Sequence, residues 1–175
     1  MKNAILIGME LNSLLPVDQK PEYTCGYEGF FHVVGINGAV EQATVSYIIR
    51  DHSMEKFEQK KQLMWDVVNF LQRKYGEKHL TLTLKDQYYN MRKMVEPHPQ
   101  LIEKARRAMI EAGVKPQVKP IRGGTDGSRL SFMGLPCPNL FTGGMNFHGR
   151  YEYASLTTMQ KAMNTIINLA RIWAE

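Results

Sequence analysis

The sequence is poor in cysteine. Its two cysteines, Cys25 and Cys137, lie far apart and have no CxxC or CxH companion. That excludes a disulfide framework and a structural zinc knuckle, and it suits a reducing cytoplasm. Long apolar runs are also missing: no stretch approaches the roughly 18 residues of a membrane span, so no membrane partner is expected. The opening MKNAILIGMELNSLLP is broken by Glu10 and Asn12. With no small-x-small cleavage site after it, this stretch does not read as a signal peptide. Charge of one sign is nowhere concentrated. The formal net charge is +5 and the pI about 9.2, yet basic residues are dispersed beside acidic ones. A solvated charged surface is expected, and no nucleic-acid partner. The five histidines form neither an HxxxH nor an HxD pair.

What is present is the composition of a folded protein: 43% apolar, 10% aromatic and 22% charged residues. Its length suits one ordinary domain or two small ones, with a core that buries about two-thirds of the unfolded surface. Ala4, Gly8, Leu11 and Leu15 fall on one helical stripe that Pro16 stops. Two strands, 30–36 and 43–50, flank Asn37 and Gly38, a dipeptide that favours a tight hairpin turn. Ser53 is placed to cap a helix in which Phe57, Met64, Val68 and Leu71 recur until Gly76. Leu80, Leu82 and Leu84 then alternate with polar neighbours, as in a half-buried strand. The order α-β-β-α-β is a ferredoxin-like pattern lacking its opening strand. It implies a chain that begins inside a domain.

The second part has a different rhythm. Pro97 and Pro99 precede a helix carrying Leu101, Ala105, Ala108, Met109 and Ala112 up to Gly113. A strand at 117–121 leads into RGGTDGSRLSFMG. A second, at 138–142, leads into TGGMNFHGRYE. A last helix over 157–174 sets Met159, Met163, Ile166, Ala170 and Trp173 on one face, which by default packs into a core. Helices alternating with strands and glycine-rich loops are the texture of an α/β layer.

Chemistry is sought first in those loops, because glycine lets backbone approach a ligand and strand-end loops carry sites. Thr125 and Asp126 are placed to cap a short helix with free N–H groups, and Arg122 offers a fork of donors to a carboxylate. The bland alternative is a tight, capped strand-to-helix turn. His148, held between Phe147 and Gly149, is a candidate metal ligand, against the commoner reading of a hydrogen-bonded structural histidine. His32, His52, His79 and His98 sit in strand, element-end and proline-flanked positions. Cys137 lies between Pro136 and Pro138, which reads as a rigid turn rather than a nucleophile.

The wording of these segments is itself specific. PEYTCGYEGFFH, YIIRD, YYNMR, PIRGGTDGSRLSFMGLPCPNLFTGG and NFHGRYE occur in the same order as in the peptidase T family of di-zinc tripeptide aminopeptidases, and the chain resembles the C-terminal portion of that family over nearly its whole length. The resemblance implies a ferredoxin-like lid or dimerisation domain over 1–91, lacking its first strand. The closing segment of a zinc-exopeptidase α/β catalytic domain would follow over 92–175. It implies two zinc ions in the complete enzyme, with His148 of NFHG as one ligand. It further implies that Arg50, Asn90 and Arg122 hold a tripeptide substrate.

The same resemblance places the remaining metal ligands, a lid histidine and the general-base glutamate upstream of these residues. No catalytic residue is therefore expected here, and the isolated chain is expected to bind zinc weakly and to be inactive. A homo-oligomer is expected, to cover faces left open by the missing layers. The competing reading is a non-enzymatic dimerisation or peptide-binding module.

Overall fold

Asn3 begins the first helix, its Oδ1 accepting the N–H groups of Ile5 at 3.0 Å and Leu6 at 3.3 Å. Such side-chain capping satisfies donors that a helix start leaves open. The structure, a computed structural model, describes residues 2–175. These form two units. One comprises the residues up to Gln87 with Pro120–Arg122, the other Tyr88–Lys119 with Gly123–Glu175. Its class is mixed α and β.

In the first unit, helix α1 (Ala4–Leu14) is followed by strands β1 (Phe30–Gly38) and β2 (Ala43–Arg50) and by helix α2 (Met54–Tyr75). The strands pair antiparallel from Phe30↔Arg50 to Gly38↔Ala43, with an irregularity between Val33 and Gly35. The turn expected at Asn37 and Gly38 lies further on. Both residues belong to the ladder, and the chain reverses over 39–42, where Ala39 N–H donates to Gln42 O at 2.7 Å. Ala4 N–H donates to Val40 O at 2.8 Å, so the helix start draws on this loop.

Ser53 caps α2 through Lys56 N–H at 3.3 Å, and Gly76 ends it at φ 106°, a value that favours glycine. Met64, Val67 and Leu71 of α2 close on Leu15 and Phe31. Each such side chain contributes about 1.5–3 kcal/mol when fully buried. Leu80, Leu82 and Leu84 pack on the same cluster with polar neighbours outward. Their alternation is that of a strand, yet they join no ladder. Among the described residues the sheet has two strands, and the expected third joins none of them; Gln72 Nε2 donates to Leu80 O at 2.8 Å and the leucines pack on the core.

A buried ion pair sits beside this core. Lys60 Nζ lies 3.0 Å from Asp51 Oδ2, with the two side chains 11% and 2% exposed. Asp51 Oδ1 accepts Ser53 N–H at 2.9 Å. Gly29 makes room for the carboxylate, since a Cβ there would stand 2.1 Å from Asp51 Oδ2 and 2.5 Å from Arg50 O.

Tyr47 of β2 donates its hydroxyl to Asn12 Oδ1 at 3.3 Å, and burial pushes the phenol up to about 12. The folded state therefore keeps this proton in a range where the unfolded chain, near 10.0, has released it. Above that value the unfolded chain binds fewer protons, so the contribution to stability is full below pH 10 and is lost as pH rises from about 10 to about 12. We expect the denaturation midpoint to fall across this window and to fall less in Tyr47→Phe. Phenolate absorbance should show one of the eight tyrosines titrating late.

The second unit contains α3 (Arg92–Val95), α4 (Pro99–Glu111), α5 (Asp126–Phe132), the two-residue strands β3 (Gly144–Met145) and β4 (Tyr153–Ala154), and α6 (Leu156–Ala174). Pro99 stands in the first turn of α4, where its missing N–H costs nothing. Helices α4 and α6 pack through small residues: Ala105 and Ala108 of α4 are buried, as are Ala162, Thr165 and Ile172 of α6. Asn168 Nδ2 donates to Ala108 O at 3.3 Å, and Lys104 Nζ donates to Ile172 O at 3.1 Å while lying 4.0 Å above the Trp173 ring.

The face of α6 expected in the core is instead outside. Met159, Met163, Ile166 and Trp173 are 46–58% exposed. The buried stripe is offset from them because close helix approach selects the small side chains of Ala162 and Thr165. The strands expected at 117–121 and 138–142 are extended without ladder partners, and the only pairing in this unit's described residues is β3 with β4.

Candidate functional site

The loop expected to start a short helix does so. Thr125 is extended at the N-cap of α5, but its hydroxyl contacts Ser128 Oγ and Asn139 Nδ2, each at 3.3 Å, rather than a helix N–H. Gly127 is required by contact, because a Cβ would stand 2.5 Å from Cys137 O. Ser131, fully buried, donates to Gly127 O at 2.7 Å and accepts Cys137 N–H at 3.0 Å. The backbone of Cys137 is thus pinned into a turn against α5, in line with its flanking prolines.

Two motifs distant in sequence meet here. The Tyr88 ring lies against Gly124, where a Cβ would fall 2.4 Å from the hydroxyl oxygen. Ser131 Oγ also reaches Met91 S at 3.7 Å. Asn90, between Tyr88 and Met91, accepts Arg92 N–H on its Oδ1 at 3.0 Å and so starts α3. Gly124 of RGGTDG and Tyr88 of YYNMR therefore share one packed corner, with Asn90 two residues along the chain.

Arg50 and Arg122 belong to the first unit. Arg50, the last residue of β2, donates to Gln87 Oε1 at 3.0 Å and to Ile49 O at 3.2 Å. Arg122 is engaged by a loop. It donates to Thr24 O at 2.6 Å, to Thr24 Oγ1 and to Pro21 O at 3.4 Å, and its guanidinium lies 4.8 Å from the Phe30 ring centre. Its fork thus holds the 21–24 loop. That loop walls a polar cavity of about 500 Å³ whose lining includes Asp18, Tyr23, Thr24, Glu28, Lys56 and Lys60. Nothing in the sequence pattern pointed to this cavity, since its walls come from a loop and one face of α2.

His148 stands at the tip of the β3–β4 hairpin and is exposed. Its φ is 63°, and Asn146 two residues before has φ 56°. Two non-glycine residues in the left-handed region are uncommon, although Asn and His tolerate it better than most, and such strain concentrates at functional sites. The Phe147 ring between them lies against Gly144, where a Cβ would meet it at 2.5 Å. Gly143, at φ 95°, likewise has no room for a Cβ, which would stand 2.8 Å from Met159 N at the start of α6. The hairpin is therefore seated on α6 at Gly143, while Gly144 leaves room for its own Phe147 ring. Glu152 Oε2 accepts the His148 N–H at 2.8 Å. This residue was missed in the sequence; the only signal was a carboxylate four positions after the histidine.

A structural zinc site takes four donors, and a catalytic one about three plus water. Among the described residues no group of three or more His, Cys, Asp or Glu stands together. The exposed imidazole of His148 fits one position of such a site, and the chain's own described donors do not complete one. Nor is any helix among the described residues long and apolar enough to cross a membrane.

The chain is similar to several known proteins. The whole chain is 54% identical over 175 residues to a Peptidase T of Alkaliphilus oremlandii, covering 43% of that protein. It is 52% identical over 171 residues to a Peptidase T of Bacillus subtilis, covering 98% of this chain and 42% of that one. The chain thus spans about two-fifths of the length of these curated relatives. Among solved structures, the aminopeptidase PepT of Bacillus cereus matches 99% of this chain and 46% of its own, with a TM-score of 0.61 at 15% sequence identity, a likeness of fold. Residues 22–172 match the description Peptidase family M20/M25/M40. Because that match runs from before β1 to the last turns of α6, the chain belongs to this peptidase family.

Proposed function

We propose that the chain is the C-terminal portion of a zinc-dependent tripeptide aminopeptidase that releases the N-terminal residue of its substrate. The observation that carries this reading is the unbroken similarity, at 54% identity, to a protein named Peptidase T. His148 supports it, presented at a hairpin tip with its ring exposed. In this reading residues 1–91 are a lid or dimerisation domain, and 92–175 are the closing segment of the catalytic domain.

His148 gives one zinc ligand, and the others, with the general base, come from outside these residues. Bound zinc would polarise the peptide carbonyl and acidify a water. The chain's own contribution is to hold the imidazole in place and to position substrate near Arg50 and Asn90. Arg122 serves the same end by fixing the 21–24 loop through its two terminal nitrogens. The enzyme is proposed to be cytoplasmic, in keeping with two cysteines and no disulfide framework. It is also proposed to be a homo-oligomer, in keeping with the lid or dimerisation domain read over 1–91.

A chimera tests the proposal. The aligned stretch of the Alkaliphilus Peptidase T is replaced by this chain, and release of the N-terminal residue from a simple tripeptide is measured with zinc. The chimera is expected to turn over, and His148→Ala within it to lose several kcal/mol of transition-state stabilisation, about a thousandfold in rate. The isolated chain is expected to release nothing. A His148→Ala chimera as active as its parent would remove the histidine from the site.

A further inference from the structure

Resting on the reading of His148 as a metal ligand, we propose that Glu152 is its positioning residue. In this role the carboxylate clasps the amide of His148, holds the residue in its left-handed conformation and so steadies the direction of the imidazole. The hairpin between Gly143 and Ser155 is closed by several contacts that do not involve the histidine's own polar groups. Gly149 N–H donates to Asn146 O at 2.9 Å, Glu152 N–H to Gly149 O at 3.0 Å, and Ser155 N–H to Gly143 O at 3.1 Å. Asn146 Nδ2 donates to Tyr151 O at 3.3 Å, and β3 pairs with β4 through Gly144↔Ala154 and Met145↔Tyr153.

The bond from Gly149 N–H to Asn146 O closes a turn with Phe147 and His148 at its centre, and such a turn favours a positive φ at its second central residue. The bond from His148 N–H to Glu152 Oε2, at 2.8 Å, adds the one side-chain clasp that acts on the His148 amide itself among the described residues. An amide turned by a φ of 63° points at the carboxylate, whereas rotation to the ordinary right-handed region would swing both the N–H and the Cβ–imidazole bond away. A bond to a charged acceptor is among the stronger hydrogen bonds, and here it acts on the backbone of the residue proposed to hold the metal. Phe147, wedged on Gly144, blocks the neighbouring route of relaxation.

The test uses the chimera described above, whose remaining part supplies the other proposed ligands, with zinc ion alone as probe, and nuclear magnetic resonance of three forms: wild type at 152, Glu152→Ala and Glu152→Gln. Cross-strand contacts between Gly144 and Ala154 report that the hairpin is intact in each. In Glu152→Ala, amide exchange at His148 is expected to accelerate by at least about tenfold. Zinc-induced shifts of its ring should need about tenfold more metal, the usual scale for loss of a ligand's supporting partner. Glu152→Gln keeps an acceptor oxygen and is expected to restore both to within about threefold of wild type.

Unchanged exchange and unchanged zinc response in Glu152→Ala would overturn the proposal. So would a Glu152→Gln form as impaired as the alanine form. Zinc that moves the His148 ring in no form, while exchange changes as expected, would overturn the ligand reading and the positioning role with it. The exchange result would then mark the carboxylate as a clasp of the hairpin only.

Discussion

Lys60→Met is expected to destabilise the first unit by about 3–5 kcal/mol, because it leaves the Asp51 carboxylate buried without its counter-charge. The side chain of Asp51 is 2% exposed. Its Oδ1 is engaged by Ser53 N–H, but no directed hydrogen bond reaches Oδ2, which depends on the ammonium 3.0 Å away. Gly29 closes over the same oxygen, so the carboxylate has little room to turn toward water. Trp65, on α2, reports this unit once Trp173 is replaced by Phe, and urea denaturation followed by its fluorescence gives the loss. The double variant Asp51→Asn with Lys60→Met is expected to recover most of it, since neutral groups of similar size need no partner charge. A Lys60→Met midpoint within experimental error of wild type would mean that water reaches Asp51.

That pair was not legible in the residues alone, although much of the helical frame around it was. Where a periodic stripe meets a stop signal, the reading holds: Asn3 to Pro16, Ser53 to Gly76 and Pro99 to Gly113 each bound a helix in the structure. The second strand is found residue for residue, because Val45, Tyr47 and Ile49 alternate against α1 and α2. Alternation fails as a guide where no neighbouring strand exists. Leu80, Leu82 and Leu84 face the core in the expected rhythm, but a ladder needs a partner and period-2 burial does not supply one. The tight-turn signal of Asn37 and Gly38 was overridden by strand pairing that continued past it.

The site was legible as wording more than as geometry. NFHG marked His148, and the glycines of RGGTDG marked a crowded corner, since Gly124 and Gly127 each face atoms that exclude a Cβ. The partners of these residues were not legible. Arg122 reaches Thr24 across 98 positions, a separation no local pattern encodes. Glu152 acts from within a loop, where carboxylates carry no period, and its aim follows only from the left-handed turn at His148.

Ile172→Ala is expected to cost the second unit about 2–5 kcal/mol, whereas Ile166→Ala, on the same helix, is expected to change it by about 0.5 kcal/mol or less. The two isoleucines are separated by the distinction that hydrophobicity alone misses. Met159, Met163, Ile166 and Trp173 make the more apolar stripe of α6, yet Ile166 is 58% exposed and Ile172 is 2% exposed. What decides the buried face is the partner. Helix α4 offers Ala105 and Ala108, and α6 answers with Ala162 and Thr165, so the backbones approach closely and Ile172 fills the space beyond them. Trp173 reports this unit in a Trp65→Phe background, and urea midpoints of the two variants give the contrast. Equal losses would mean that the Ile166 face is covered in solution, and concentration dependence of the Ile166→Ala midpoint would then identify a second copy of the chain as the cover.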